Sequence, residues 1–348
     1  MAHILEKLDS RAIPEGAGEI RLFSAVRDER VRLPHFVRHY RAIGVDRMIF
    51  IDNGSSDGTT EWLLAQPDCH VFFTRDSYAA STYGVDWVNA LIGRYGVGHW
   101  CFLVDADELF VYPDFETRPL QDYVRALDAE GAEGVFAFML DMYPEGPLEA
   151  AVLDDDTDLV ALAPAFDSEY LFQRTPARPG KAPPFPGLRV LGGPRQRFAR
   201  PVAAEARRGW LHSAASYRFE RVLARLPKGM RAKLAPLLWN GPTTLQKIPL
   251  VKPAADFRFN AGAHTTTPVR LARQSAVLLH YKFLADFHAR VAKAIAEGEH
   301  YRGGAQYMWY RSKIEASGSS ALTYPGTMLL KGSASLAGQG LFRDIGAI

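Results

Sequence analysis

The chain is poor in cysteine. Its 348 residues include two, Cys69 and Cys101, which are too few for a disulfide framework or a zinc site. A reducing compartment is the simplest environment for such a composition. The sequence also has no uninterrupted apolar run near the roughly 18 residues that a membrane-spanning helix needs. The segment from Met1 to Ile20 has no apolar signal core, so we expect the protein in the cytoplasm.

Neither sign of charge predominates. The 41 lysines and arginines and the 39 aspartates and glutamates leave a net charge of +2, so we expect no nucleic-acid partner. The sequence has no Gly-x-x-x-x-Gly-Lys-Ser/Thr loop and no Gly-x-Gly-x-x-Gly after its first predicted strand. Phosphoryl transfer from ATP and nicotinamide chemistry are therefore poorly supported. An apolar share of 47% and this length are sufficient for a sizeable core.

The most informative stretch is Trp100–Phe110. Its apolar beginning, Trp100–Val104, runs directly into Asp105 and Asp107. Such a run is typical of a strand buried on both faces, and open α/β sheets bind ligands beyond the carboxyl ends of their strands. Two carboxylates at this spacing can bind one divalent cation. Water molecules and substrate phosphates would complete the coordination of that cation. The alternative is an acidic turn with Asp107 near the start of a helix.

Before this stretch, predicted strands alternate with predicted helices. The alternation predicts an α/β fold with a mainly parallel sheet flanked by helices. Because the carboxyl ends of parallel strands share one edge of the sheet, we expect the polar loops that follow the strands to gather there. The predicted strands are Glu19–Val26, Met48–Ile51, Val71–Thr74 and Trp100–Val104, and the predicted helices are Leu33–Ile43, one after Asp57, and one within Tyr83–Arg94.

The four loops carry the candidate ligand-binding residues. A cation at Asp105 and Asp107 would act as a Lewis acid toward a departing diphosphate. Acidic side chains on the neighbouring loops can accept hydrogen bonds from a ribose or a base, and arginines can bind phosphate. The glycine turn at Val190–Arg197 suits phosphate contact through Arg195, or is an ordinary tight turn. The candidate nucleotide-binding residues are Arg27, Glu29, Asp52, Asn53, Asp76 and Arg195.

The alternation of predicted strands and helices is less regular after Asp107. A basic amphipathic segment, Gly209–Trp239, is predicted to be a helical insertion that either covers the domain or lies on an anionic membrane surface. The tail from Ser317 is rich in glycine and serine, and we expect it to pack loosely. The remaining predicted elements are the helices Pro119–Glu130 and Phe283–Ala296 and the strands Gly134–Leu140, Thr244–Val251 and Ala276–Tyr281.

Several motifs together resemble the family-two-like glycosyltransferases of the GT-A fold, and within them a bacterial group related to family ninety-two. The resemblance is strongest in the first third of the chain and extends over residues 19–290. One departure is Asp28, where this group often has asparagine. The motifs are Arg27–Glu29, Leu33–Phe36, Tyr40–Val45, Asp52–Thr59 and Val104–Phe110, with later pieces at Gly192–Arg195, Lys247–Leu250, Gly262–His264 and Leu279–Lys282.

The resemblance implies a domain organisation and an activity. Residues 19–115 would form the nucleotide-sugar-binding half of a Rossmann-like GT-A domain, 116–290 the α+β acceptor-side half, and 291–348 a C-terminal helix and tail. The implied activity is transfer of a sugar, with inversion, from a nucleotide diphosphate sugar to a glycan, lipid-linked or protein acceptor. The implied cofactor is Mn²⁺ or Mg²⁺.

The resemblance also implies roles for particular residues. Asp105 and Asp107 match the metal motif, while Asp52 and Asp76 match nucleoside contacts. A further metal ligand in such enzymes is frequently a histidine from the C-terminal part. The candidates for it are His280, first, and His264.

An inverting transfer needs a general base for the acceptor hydroxyl, and a carboxylate near the sugar carbon serves that role. Asp141, at a predicted strand end after the metal loop, is the first candidate, and Glu169 is the alternative.

Two other functions compete with this one. A nucleotidyltransferase also joins a parallel sheet to an aspartate-bound metal, but its phosphate loop is normally rich in glycine, which Arg27–Glu29 lacks. A non-catalytic carbohydrate-binding protein on the same fold is expected to have lost the metal pair, which is intact at Asp105 and Asp107. We expect cytoplasmic residence, with peripheral attachment to the inner face of the membrane as an open alternative.

Overall fold

A computed structural model describes residues 5–175, 183–199, 244–297, 312 and 320–348. Within these ranges the protein is α/β, with a mixed nine-stranded sheet flanked by helices. The predicted helical insertion at 209–239 lies outside the described residues. The strands are β1 Glu6–Lys7, β2 Ile20–Val26, β3 Arg47–Asp52, β4 Cys69–Phe73, β5 Trp100–Leu103, β6 Glu108–Val111, β7 Gly134–Asp141, β8 Ala165–Asp167, β9 Tyr170–Arg174, β10 Leu188–Gly192, β11 Gln246–Val251, β12 Ala276–His280 and β13 Thr327–Leu329.

Helices α1, α3 and α4 begin and end close to their predicted positions, α7 begins four residues after its predicted start at Phe283, and α5, α6 and α8 were not predicted. Helix α1 has a proline in its first turn and ends at Gly44, whose φ of 106° is a left-handed conformation that glycine adopts without strain. No described helix has the length and apolarity needed to span a bilayer. The helices are α1 Leu33–Ile43, α2 Thr59–Leu64, α3 Val85–Tyr95, α4 Leu120–Glu130, α5 Leu159–Leu162, α6 Gly193–Ala199, α7 Phe287–Glu297 and α8 Ser333–Gly338, with 3₁₀ turns at Leu148–Ala150 and Ile345–Ala347.

The predicted parallel sheet is confirmed in the first part of the chain. Strands β4, β3, β2 and β5 are neighbours in that order and run parallel. Val26 pairs with Asp52, and Asp52 pairs with Phe73, so three of these strands end level with one another. The loops after them therefore leave the same edge of the sheet.

The second part of the chain extends the same sheet. Strand β11 pairs antiparallel with β5 and β7, β12 pairs parallel with β7, and β6 closes the edge antiparallel to β12. The sequence did not indicate β6, which begins at the residue after Asp107, so the alternative of a helix start at Asp107 is wrong. The acidic turn is thus held between two strands of one sheet, which fixes its backbone at both ends.

Both faces of the sheet are buried. Along β3, Met48 and Phe50 belong to one apolar cluster with α1, α2 and α4, whereas Ile49 and Ile51 belong to a second cluster with α3. Successive side chains of a strand point to opposite faces, so a continuous apolar run serves both clusters. This is the physical reason that uninterrupted apolar segments predicted these strands correctly.

The C-terminal tail corrects one expectation. Its described part, 320–348, does not pack loosely, because β13 pairs with β8, and Leu336 and Leu341 are buried in the main apolar cluster. Glycine and serine here supply turns between short secondary-structure elements, and a few buried leucines hold the segment against the core. The overall composition of the tail did not indicate these individual buried residues.

One carboxylate fastens the N-terminal segment to β4. Asp9 accepts hydrogen bonds from the Val71 backbone N–H at 3.0 Å, Lys7 Nζ at 2.8 Å and the Arg11 backbone N–H at 3.1 Å. Burial favours the neutral acid, but the hydrogen bonds from Lys7 and Val71 outweigh it and hold the pKa of Asp9 below its usual range.

We expect Asp9→Asn to lower the free energy of unfolding at neutral pH by about 1.5–3 kcal/mol, the range for hydrogen bonds to charged groups. Because the folded-state pKa of Asp9 is depressed, its contribution is complete above the unfolded-state pKa of about 4 and is lost as the pH falls. The difference in free energy of unfolding between the wild-type protein and Asp9→Asn, measured by urea unfolding, should therefore become smaller below about pH 5. The exposed Glu6, changed to Gln, is the control, and a difference independent of pH would contradict the assignment.

Candidate functional site

Three neighbouring strands place titratable side chains in one row. His280, the last residue of β12, pairs with Asp141 in the parallel register of β7 and with Glu108 in the antiparallel register of β6. Directly paired residues project from the same face of a sheet, so the three side chains are adjacent. Asp107 precedes β6, and its carbonyl accepts a hydrogen bond from the Tyr281 N–H at 2.8 Å. The acidic turn is therefore fixed beside His280 by backbone contacts.

His280 lies between two carboxylates. Its Nδ1 is 2.6 Å from Asp141 Oδ1, and its Nε2 is 3.5 Å from Asp107 Oδ2. Although burial disfavours the imidazolium, these carboxylates raise the pKa of His280. Burial likewise disfavours ionised Asp107, but His280 and the more distant Arg290 hold the pKa of Asp107 well below its usual range.

Asp141 is fully buried beneath His280. Arg195 Nε donates to Asp141 Oδ2 at 2.6 Å, and Arg195 Nη2 donates to Asp141 Oδ1, the same oxygen that His280 approaches. Burial opposes ionisation, but Arg195 and His280 lower the pKa of Asp141 below its usual range. Both oxygens are thus occupied by cationic partners. The other candidate base, Glu169, is exposed in the turn between β8 and β9.

A cleft of about 340 Å³ opens over this row. Its walls come from the loops after β2, β3 and β5 in the first half of the chain and from β11, β12 and α7 in the second half. Neither Asp141 nor Glu169 is among its lining residues. The lining side chains that carry charge are Arg27, Asp28, Glu29, Asp105, Asp107, Glu108, Arg195, Lys247, Lys282, Arg290 and Lys293.

A buried lysine joins the two acidic residues beside Asp107. Lys247 Nζ lies 2.8 Å from Asp105 Oδ2 and 2.5 Å from Glu108 Oε1. Glu108 is fully buried, and burial raises its pKa to about 7 against the opposing charge of Lys247. The Asp105 side chain is 64% exposed, whereas Glu108 is buried, and both line the cleft.

Helix α7 is clasped to the loop after β2. Arg290 donates from both terminal nitrogens to the two carboxylate oxygens of Glu29, each at 2.8 Å. One turn further along, Lys293 pairs with Asp28. Asp28 has a φ of 53°, a left-handed conformation that aspartate and asparagine adopt more readily than most residues. The asparagine that often stands at this position in the resembling group would fit the same backbone.

Three candidate nucleotide-binding residues, Asp52, Asn53 and Asp76, differ in their exposure and in their position relative to the cleft. Asn53 lines the cleft, and its Nδ2 donates to the carbonyls of Thr74 and Asp76 at 3.2 and 3.0 Å. The Asp76 side chain is exposed. Asp52 is fully buried and is not among the lining residues, because its carboxylate accepts hydrogen bonds from the Ser55 N–H at 2.9 Å and from a threonine hydroxyl of α2. The Asp52 carboxylate therefore stabilises the loop that follows β3.

His264 also lines the cleft. Its Nδ1 donates to the Gln246 carbonyl at 2.7 Å, which leaves Nε2 as the unprotonated nitrogen of the neutral ring. Burial and the nearby Lys247 lower the pKa of His264 to about 4. The ring is thus neutral at physiological pH.

The residues around His280 have the chemistry of a divalent-cation site. Asp107, Glu108 and His280 each offer one ligand atom, and these atoms lie within 4.8 Å of one another. Two carboxylates with one imidazole suit Mn²⁺ and other first-row cations, and the contact from Nδ1 to Asp141 is the outer hydrogen bond that metal-binding histidines normally make. Glu108 stands in this group where the sequence predicted Asp105, although both carboxylates contact Lys247.

Sequence reasoning missed Glu108, Lys247 and Arg290 as site residues, although it named Arg195. Lys247 interrupts an otherwise apolar strand, and Glu108 follows Asp107 directly, so both carried a local signal. Arg290 carried none, because a single arginine in an amphipathic helix is ordinary.

Comparison of the chain with protein-family models and with curated proteins finds no match. The family resemblance therefore rests on the motifs quoted above.

We expect Arg290→Met to destabilise the protein by about 1–3 kcal/mol, because Glu29 would lose a paired contact in a position where burial raises the pKa of that carboxyl. Urea unfolding measures the change. The matched control is Arg273→Met, which removes the same side chain from a pair with Asp344 at an arginine that is 80% exposed, and should destabilise the protein clearly less. Equal effects of the two substitutions would contradict a structural role for the clasp.

Proposed function

We propose that the protein is a metal-dependent glycosyltransferase that takes a sugar from a nucleotide diphosphate sugar. One observation carries the proposal: a carboxylate–imidazole donor set and several cationic side chains face the same cleft at the carboxyl edge of an α/β sheet. This edge is where open α/β sheets bind nucleotides. Within the α/β class, the sequence motifs favour the GT-A fold, and we include that fold in the proposal.

The charge of the cleft supports a diphosphate as the bound group. Lys282, Arg290 and Lys293 line one wall, and Arg27 lies in the loop opposite. Arginine matches phosphate oxygens with two parallel hydrogen bonds, and lysine adds a mobile point charge. A diphosphate between these walls would share cations that otherwise contact Glu29 and Asp28.

The nucleoside would lie against the first-half wall. Asn53 and Tyr78 both line this part of the cleft. The amide of Asn53 is oriented by its bonds to two backbone carbonyls, so its position is fixed before a ligand arrives. An oriented amide and an aromatic side chain suit a base or a ribose.

A divalent cation fits the donor set of Asp107, Glu108 and His280 and would supply Lewis-acid stabilisation for the departing diphosphate. The chain's own residues would do the rest. Arg290 and Lys293 would orient the diphosphate, and Lys247 would hold Asp105 at the rim of the cleft. The acceptor, whether a glycan, a lipid-linked sugar or a protein, would enter from the exposed side of Asp105.

We expect the purified protein with Mn²⁺ to release a nucleoside diphosphate from at least one member of a panel of nucleotide sugars and candidate acceptors. Coupled detection of UDP, GDP and other nucleoside diphosphates measures it. Release of pyrophosphate from a nucleoside triphosphate and a sugar phosphate would instead indicate a nucleotidyltransferase. A protein that neither turns over any donor nor gains thermal stability from any nucleotide would contradict the proposal.

We expect Asp107→Asn to reduce turnover on the order of 100-fold or more, because it removes one negative ligand from the group that would stabilise the developing diphosphate charge. The initial rate with the active donor is the measurement, with the circular dichroism spectrum as the check on folding. The control is Asp156→Asn, at an exposed aspartate in a surface loop, which should keep full activity. A fully active Asp107→Asn enzyme would exclude the metal assignment.

A further inference from the structure

We propose that Asp141 and Arg195 are positioning residues that present Nε2 of His280 to a divalent cation beside Asp107. The inference rests on the proposed function for the presence of that cation. It gives Asp141 a role different from the general base that the sequence indicates. The three side chains belong to β7, α6 and β12, so the unit is assembled from distant parts of the chain.

The contact between Asp141 and His280 fixes the tautomer of the imidazole. The two residues are paired in the parallel register of β7 and β12, and Asp141 Oδ1 is 2.6 Å from His280 Nδ1. An ionised carboxylate only accepts hydrogen bonds, so at this distance Nδ1 must carry a proton. In the neutral ring Nε2 is then the nitrogen with a lone pair, and it is the nitrogen that faces Asp107. That is the form a metal requires.

Arg195 holds the carboxylate in place. Its Nη2 is 2.9 Å from His280 Nδ1, but a guanidinium cannot accept a hydrogen bond, so both groups donate to Asp141 Oδ1. The second contact, from Arg195 Nε to Asp141 Oδ2 at 2.6 Å, prevents rotation of the carboxylate. Gly193 starts α6 close by with a φ of 69°, and a Cβ there would lie 3.3 Å from Asp141 Oδ2. The glycine turn thus allows the arginine to approach.

The same contacts argue against Asp141 as the base. A general base must come within about 2.6–3.2 Å of the proton-bearing atom or reach it through one water. Asp141 has no exposed surface, does not line the cleft, and has both oxygens occupied by hydrogen-bond donors, Arg195 and His280. His280 and Arg195 lie between it and the space that a substrate would occupy.

The test is the affinity of the full-length protein for Mn²⁺, measured from the electron paramagnetic resonance signal of the free ion. We expect Asp141→Asn to weaken Mn²⁺ binding roughly 10- to 100-fold, the usual effect of losing the outer partner of a metal-binding histidine. The matched control is Asp167→Asn. Asp167 is equally a buried carboxylate, paired with Arg197 at 3.1 Å and with the Tyr143 hydroxyl at 2.7 Å, and its bonds do not involve His280. Its substitution should leave Mn²⁺ affinity within about twofold of wild type.

Two further variants keep the test decisive. If Asp141→Asn does not fold because Arg195 is left unpaired, the double substitution Asp141→Asn with Arg195→Met removes both charges and should show the same loss of affinity. Arg195→Lys keeps the charge without the two-point contact and should lie between wild type and Asp141→Asn. Wild-type affinity in a folded Asp141→Asn or double variant overturns the inference, and a lower kcat with unchanged Mn²⁺ affinity would assign Asp141 to the base instead.

The outcome is separable from that of the proposed function. Mn²⁺ binding that weakens in Asp141→Asn, together with no turnover of any nucleotide sugar, would retain the positioning role and reject the transferase. Absence of Mn²⁺ binding by the wild-type protein would overturn the positioning role and the metal dependence together.

Discussion

The imidazole of His280, held between the carboxylates of Asp141 and Asp107, is the contact on which the arrangement of the cleft depends. Buried charges are tolerated in proteins when they are paired and hydrogen-bonded, and each of these three groups satisfies a neighbour. The pairing is set by the register of β6, β12 and β7. A slip of one residue in that register would turn His280 to the other face of the sheet, and Asp107 and Asp141 would both lose their contact with the imidazole.

The same rule of charge compensation extends through the rest of the site. Among the described residues, buried or partly buried acids from the first half of the chain meet cations from the second half, and these contacts join the two halves across the cleft. The cations that pair with carboxylates at the cleft wall are also the groups to which we assign the proposed diphosphate, so in that proposal binding and stability would depend on the same side chains. The pairs are Glu29 with Arg290, Asp28 with Lys293, Glu108 with Lys247, and Asp141 with Arg195.

Much of the architecture could be predicted from local patterns. The four parallel strands β2 to β5 are mainly apolar segments, and α1 carries helical periodicity with proline and glycine at its ends. Strand β6 could not be predicted, because four residues after a polar turn carry too little periodicity. The antiparallel insertion of β11 between β5 and β7 was equally hidden, since strand order is decided by packing between segments distant in sequence.

The acidic turn illustrates where local information ends. Asp105 and Asp107 follow a buried strand, and that position at a sheet edge was determined by neighbouring residues alone. Their partners could not be read in the same way, because Lys247 and His280 are more than a hundred residues away along the chain and are brought near by strand pairing. Long-range pairing also separated the roles of the two aspartates, since Lys247 reaches one and His280 the other. The sequence by itself thus determined which single residues could act as ligands or bases. Which of them lie together was decided by the order and register of the nine strands.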